Sequence, residues 1–100
     1  MKNNITLHTQ TNKSFKVKLR LKKICKSKGI KLIDVAKAVG KTQVTFSRIT
    51  TGVSPLNLEL LQKIAEYLNV SVHELLEVED GFEHYYGTKT NKWLGIRKID

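Results

Sequence analysis

The chain has one cysteine, Cys25, one proline, Pro55, and no acidic residue before Asp34. A lone cysteine excludes an intrachain disulfide and fits a reducing compartment. No apolar run approaches the length of a membrane span. The polar N-terminus with isolated lysines lacks the apolar core of a signal peptide, so the expected location is the cytoplasm. His8, His73, His84 and Cys25 show no metal-ligand spacing. There is no Gly-rich phosphate loop, no nucleophile elbow and no paired-carboxylate arrangement. Nor is there an internal repeat. These absences argue against an enzyme, a metal site or a bound cofactor.

What the chain has in abundance is positive charge, unevenly placed. One hundred residues carry a formal net charge of +9, which favours a polyanionic partner. Ten of the eighteen Lys/Arg precede Asp34. From Ser54 to Glu83 the sign reverses, with Lys63 alone among Glu59, Glu66, Glu74, Glu77, Glu79, Asp80 and Glu83. One face therefore suits phosphates and another suits solvent or a protein partner, a segregation that solubility alone does not require.

The length allows one small domain with tails. Residues 1–15 read as an N-terminal arm, with Ile5 to His8 alternating like a short strand. Residues 15–21, FKVKLRL, are ambiguous. Phe15, Val17, Leu19 and Leu21 alternate with basic residues, a strand period, whereas Val17, Leu21, Ile24, Cys25 and Lys28 would share one face of a helix. The favoured pattern is a helix from about Lys16 or Lys18 to Lys28, with room for a few extended residues before it, stopped by Gly29. Leu32, Val35, Ala36 and Val39 form the apolar stripe of a second helix over 32–39. Gly40 suits a sharp turn in the left-handed conformation, and Thr42 suits the N-cap of a third helix running to about Thr50. Phe46 and Ile49 face inward on that helix. After Ser54-Pro55, Asn57 caps a fourth helix, Leu58 to Leu68, with Leu58, Leu61, Ile64, Ala65 and Leu68 inside. Ser71-Val72-His73-Glu74 matches a capping box for a fifth helix to Glu77, with Val70 and Leu75 placed as a staple. The segment 79–100 holds Phe82, Tyr85, Tyr86 and Trp93, and a small hairpin of 83–86 with 92–96 is a candidate there.

Two helices joined through Gly40, the second short and followed by Gly52, have the pattern of a helix-turn-helix. From Leu21 to Glu77 the chain resembles the DNA-binding domain of phage repressors and Cro, the Xre-like group. The resemblance rests on Gly29, Val35-Ala36, Gly40, Phe46-Ser47-Arg48-Ile49, Gly52, Pro55, Ile64-Ala65, Leu68-Asn69-Val70-Ser71 and Glu74-Leu75, taken together in this order and spacing. It implies an all-α, five-helix repressor-like domain over 16–78, between an extended N-terminal arm and the C-terminal aromatic and basic tail of 79–100. It also implies double-stranded DNA as partner and a homodimer on a two-fold operator.

In that group the third helix lies in the major groove. Carried onto this chain, base readout falls to Gln43, Val44, Ser47 and Arg48. Gln suits adenine, Arg suits guanine, and Val can pack on a thymine methyl; Val44 could equally fill space between helices. Lys31, Lys41, Thr42 and Thr45 are the expected phosphate contacts, with the start of helix two. Lys16, Lys18, Arg20 and Lys22 form either a DNA arm or a solvated face. Leu76, Phe82, Tyr85, Tyr86 and Trp93 are candidates for a dimer or partner surface, or else a cover for the core. Three positions depart from the group. Leu32 stands where a phosphate-clasping Gln is frequent. Cys25 and Thr50 stand where many members pair an Arg with an acid. With both partners missing, no buried charge is left unpaired, and Cys25 reads as a core residue, with redox sensing as the alternative. A second functional reading is an antitoxin-like module that binds DNA and grips a protein partner through its tail. A third is a nonspecific nucleic-acid binder driven by the basic N-terminal third.

Overall fold

A computed structural model describes residues 14–99. The alternation suggested for Ile5 to His8 lies outside them. Five helices form the body: α1 (Leu21–Lys28), α2 (Leu32–Ala38), α3 (Gln43–Thr50), α4 (Leu58–Leu68) and α5 (Val72–Leu75). Two antiparallel strand pairs accompany them. β1 (Ser14–Phe15) pairs with β2 (Leu56–Asn57), and β3 (Phe82–Tyr86) pairs with β4 (Trp93–Lys98). The fold is thus a helical helix-turn-helix body with two small β additions, not a purely all-α domain.

The helix boundaries follow from local chemistry. Gly29 ends α1 at φ 68°, and Gly40 turns the chain between α2 and α3 at φ 76°, a backbone region costly for residues with a Cβ. Thr42 caps α3, its Oγ1 accepting from the Thr45 N–H at 3.2 Å. Asn57 caps α4, its Oδ1 accepting from the Leu60 N–H at 2.8 Å. Each cap satisfies a backbone donor that has no partner inside the helix.

The core gathers one stripe from each helix: Leu21, Ile24 and Cys25; Val35 and Ala36; Phe46 and Ile49; Leu60, Leu61, Ile64, Ala65 and Leu68; and Leu75. Leu19 and Leu56 complete it. Val35, Ile64 and Leu75 have no solvent exposure at all. Truncating a side chain so placed typically costs about 2–5 kcal/mol.

Four local expectations need correction. The first helix starts at Leu21, because residues 14–19 obey the strand period. Lys18 bridges Thr51 and Leu19 bridges Leu76, so their backbone groups are used between chain segments and not within a helix. On α4, Leu58 is 37% exposed and Leu60 is buried in its place. α5 ends at Leu75 rather than Glu77. Its capping box is not made, and Ser71 caps the helix through an N–H other than that of Glu74. Ser71 Oγ accepts from the His73 N–H at 3.1 Å, while the Glu74 carboxylate turns away to accept from the Tyr86 hydroxyl at 3.1 Å.

The hairpin forms with Phe82 opposite Lys98 and His84 opposite Ile96, longer than expected at its open end, while at the turn end its second strand starts at Trp93. It is tied to the helical body by polar contacts. His84 Nε2 lies 2.7 Å from the Leu76 carbonyl oxygen, which can only accept. Nε2 therefore carries the proton and Nδ1 is free to accept from the Trp93 indole N–H at 2.9 Å. The histidine is held as one tautomer between two elements.

Candidate nucleic-acid interface

The third helix has a dry face and a wet face. Phe46, Ile49 and Thr50 are buried, while Gln43, Val44, Thr45, Ser47 and Arg48 are exposed. At 100° per residue, Val44, Ser47 and Arg48 fall within one stripe. Thr51 continues that stripe one turn on. Its N–H donates to the Ser47 carbonyl at 3.1 Å, and its hydroxyl donates to the same oxygen at 2.8 Å. Thr51 was absent from the residues singled out in the sequence, although its spacing of seven from Val44 marks it. Val44 is 73% exposed, so it does not fill the space between helices. An apolar side chain left that far in water has no packing role.

The helix is anchored at both ends. Thr42 caps its start, and the Arg48 carbonyl accepts from the Val53 and Ser54 N–H groups at 2.9 and 3.0 Å. The body holds it from behind through α2 and the apolar pair Phe46 and Ile49. This arrangement fixes the orientation of the outward side chains without using any of them.

The expected phosphate-contact residues Lys31, Lys41, Thr42 and Thr45 are also exposed. No side chain caps the first turn of α2, whose N-cap is Lys31. Leu32, at the position of the frequent Gln, packs against the core. Of the basic N-terminal residues, Lys16, Lys18 and Lys22 are exposed, but Arg20 is not. Arg20 is 8% exposed. Its Nη1 donates to the Glu74 carbonyl at 2.7 Å and its Nη2 to the Tyr86 hydroxyl at 3.1 Å. A buried guanidinium must keep such partners, so Arg20 does not belong with an exposed arm.

Cys25 and Thr50 are both buried. Thr50 satisfies its hydroxyl locally on the Ser47 carbonyl at 3.2 Å. Burial pushes the Cys25 thiol above its ordinary pKa, the opposite of what a reactive thiolate needs.

The candidate partner residues are partly spent within the chain. Leu76 is half-buried against the core and bridged to Leu19. Tyr86 bonds Arg20 and Glu74, and Trp93 bonds His84. The Arg97 guanidinium lies over the Tyr85 ring at 4.6 Å and its Nε donates to Glu83 at 2.9 Å. Phe82 keeps 39% of its surface exposed.

An open cleft of about 870 Å³ lies between α1, α5 and the hairpin, lined by Lys23, Glu74, His84 and Trp93 among others. None of the outward residues of α3 lines it. The outward face of α3 therefore lies apart from this cleft. Among the described residues there is no cluster of His, Cys, Asp and Glu able to hold a metal ion. No helix among them is long and apolar enough to cross a membrane.

No curated protein matches the chain. A family model described as helix-turn-helix matches residues 21–75, more than half the chain and all five helices. The chain belongs to the Xre/Cro-like helix-turn-helix family, whose members are DNA-binding transcription regulators.

Proposed function

We propose that the chain is a sequence-specific transcriptional regulator of bacterial or phage type, acting in the cytoplasm as a homodimer and reading the major groove with α3. The observation that carries this reading is the outward face of that helix. Gln43, Val44, Ser47 and Arg48 are exposed together on a helix capped at its start and packed from behind. Each has the chemistry of a base-edge contact: amide to adenine, guanidinium to guanine, methyl groups to thymine, and a serine hydroxyl that can donate or accept. Thr42, Thr45, Lys31 and Lys41 flank the face as phosphate contacts, which fix position without reading sequence. The first turn of α2, without a side-chain cap, leaves backbone donors for another.

Dimerisation follows from the size of the domain, which spans one half-site. Two copies would place their α3 helices about one helical turn of DNA apart, or a multiple of it. The hairpin supplies the dimer or partner surface in this reading. Leu94, Ile96 and Ile99 are exposed on or beside β4, and this favours a second reading in which the hairpin grips a protein partner, as an antitoxin would. Selection of binding sites from random DNA, with mass measurement of the bound complex, tests both. An inverted repeat bound by two copies supports the homodimer. Recovery of no consensus sinks the sequence-specific reading.

A further inference from the structure

Among the described residues, the fold separates the basic side chains before α1: Lys16 and Lys18 are exposed, whereas Arg20 is buried. Residues 14–19 run antiparallel to the segment that follows α3. Ser14 is opposite Asn57, Phe15 opposite Leu56 and Lys18 opposite Thr51. The Leu19 N–H donates to the Thr50 carbonyl at 2.9 Å. A Cβ on Gly52 would lie 3.5 Å from the backbone of Val17 and Lys18, so the two segments are in close contact. Along the strap, Val17 and Leu19 turn toward the core while Lys16 and Lys18 are exposed.

Residues opposite one another in an antiparallel pair place their side chains on the same side, about 4.5–5.5 Å apart at Cβ. Lys18 therefore stands beside Thr51. Thr51 ends the stripe that runs from Val44 through Ser47 and Arg48. Lys16, two residues earlier in an extended segment, shares the side of Lys18. We infer that Lys16 and Lys18 form a phosphate clamp at the C-terminal end of α3, holding the sugar-phosphate backbone where that helix leaves the major groove. The inference rests on the reading of α3 proposed above and adds to it a contact delivered from a segment about thirty residues away in sequence. Arg20, one step further, is excluded because its guanidinium is committed to Glu74 and Tyr86.

One acidic residue borders the clamp. The Glu77 N–H donates to the Lys18 carbonyl at 3.5 Å. The ion pairs among the described residues are Lys63–Glu59 and Arg97–Glu83, so the Lys18 ammonium is not paired with Glu77. Before Asp34 the strap and its flanks carry no acid at all.

The test compares the full chain with its Lys16→Gln/Lys18→Gln variant and with Lys63→Gln, which removes an exposed charge on α4. Binding to the selected duplex and to a scrambled one is followed by fluorescence anisotropy across a salt series. Each phosphate contact adds about 0.9 to the slope of log K against log salt. The clamp variant is expected to lose roughly two from the slope on both duplexes, with the selected consensus unchanged, while Lys63→Gln leaves the slope as it was. An unchanged slope in the clamp variant overturns the inference. So does a lowered melting temperature with an unchanged slope, which would assign Lys18 to Glu77, and so does an altered base preference, which would make the strap a base reader. If the unaltered chain selects no consensus, the reading of α3 fails, and the slope comparison on any duplex still decides the clamp.

Discussion

The Tyr86 hydroxyl, at the end of β3, accepts from Arg20 Nη2 at 3.1 Å across 66 residues of sequence. The same hydroxyl donates to the Glu74 carboxylate at 3.1 Å. A guanidinium buried before α1, a carboxylate on α5 and the C-terminal hairpin are thereby joined through one oxygen. The hairpin is consequently docked on the helical body.

Tyr86→Phe removes that oxygen and leaves the ring. Arg20 keeps its bond to the Glu74 carbonyl, but one guanidinium donor and one carboxylate oxygen lose their partner. The expected loss is about 1–3 kcal/mol, read as a lower urea midpoint with the slope of the transition unchanged. An unchanged midpoint would mean that water replaces the hydroxyl at no cost.

Val44 offers a test of recognition apart from packing. At 73% exposure, Val44→Ser should alter stability by less than about 0.5 kcal/mol, as surface substitutions usually do. Affinity for the selected duplex should fall, with relaxed preference at a thymine. A melting transition several degrees lower would place Val44 in the fold instead.

Arg48 and Lys41 should behave differently from each other. Arg48→Ala is expected to cost roughly 1–3 kcal/mol on the preferred site and to relax one base position. Lys41→Ala should weaken all sequences alike and lower the salt slope by about one. Competition assays on single-base variants of the site distinguish the two. Unchanged preference for Arg48→Ala removes it from the readers.

The buried thiol gives a pH prediction. Burial raises the Cys25 pKa in the folded chain, so the unfolded thiol ionises first. Folding therefore loses stability as pH rises through the ordinary thiol range, and the loss should be absent in Cys25→Ala. Native chain should also react with a thiol reagent far more slowly than chain in urea. Equal rates would contradict the burial.

Much of this was legible in the sequence because the signals were local. Thr42 and Asn57 as caps, Gly29 and Gly40 as turns, and the stripes of α2 and α3 each depend on neighbours a few residues apart. The hairpin was visible as aromatic residues flanking a turn. What escaped depends on distant partners. The strand period of residues 15–21 could not be preferred over a helix without knowing that the segment after α3 offers its backbone. Arg20 looks like its neighbours Lys18 and Lys22 until Tyr86 and Glu74 are brought to it. Glu74 satisfies the pattern of a capping box, yet a hydroxyl from the hairpin takes its carboxylate. Leu58 and Leu60 are equally apolar, and the burial of Leu60 is set by what the rest of the body packs against α4.

Site selection from random DNA at two salt concentrations tests the central claim most directly. The account predicts an inverted repeat with half-sites one helical turn apart or a multiple of it, and a preference at one base position that relaxes with Arg48→Ala. Binding that falls steeply with salt and recovers no shared sequence would contradict it, leaving a basic surface that holds nucleic acid without reading it.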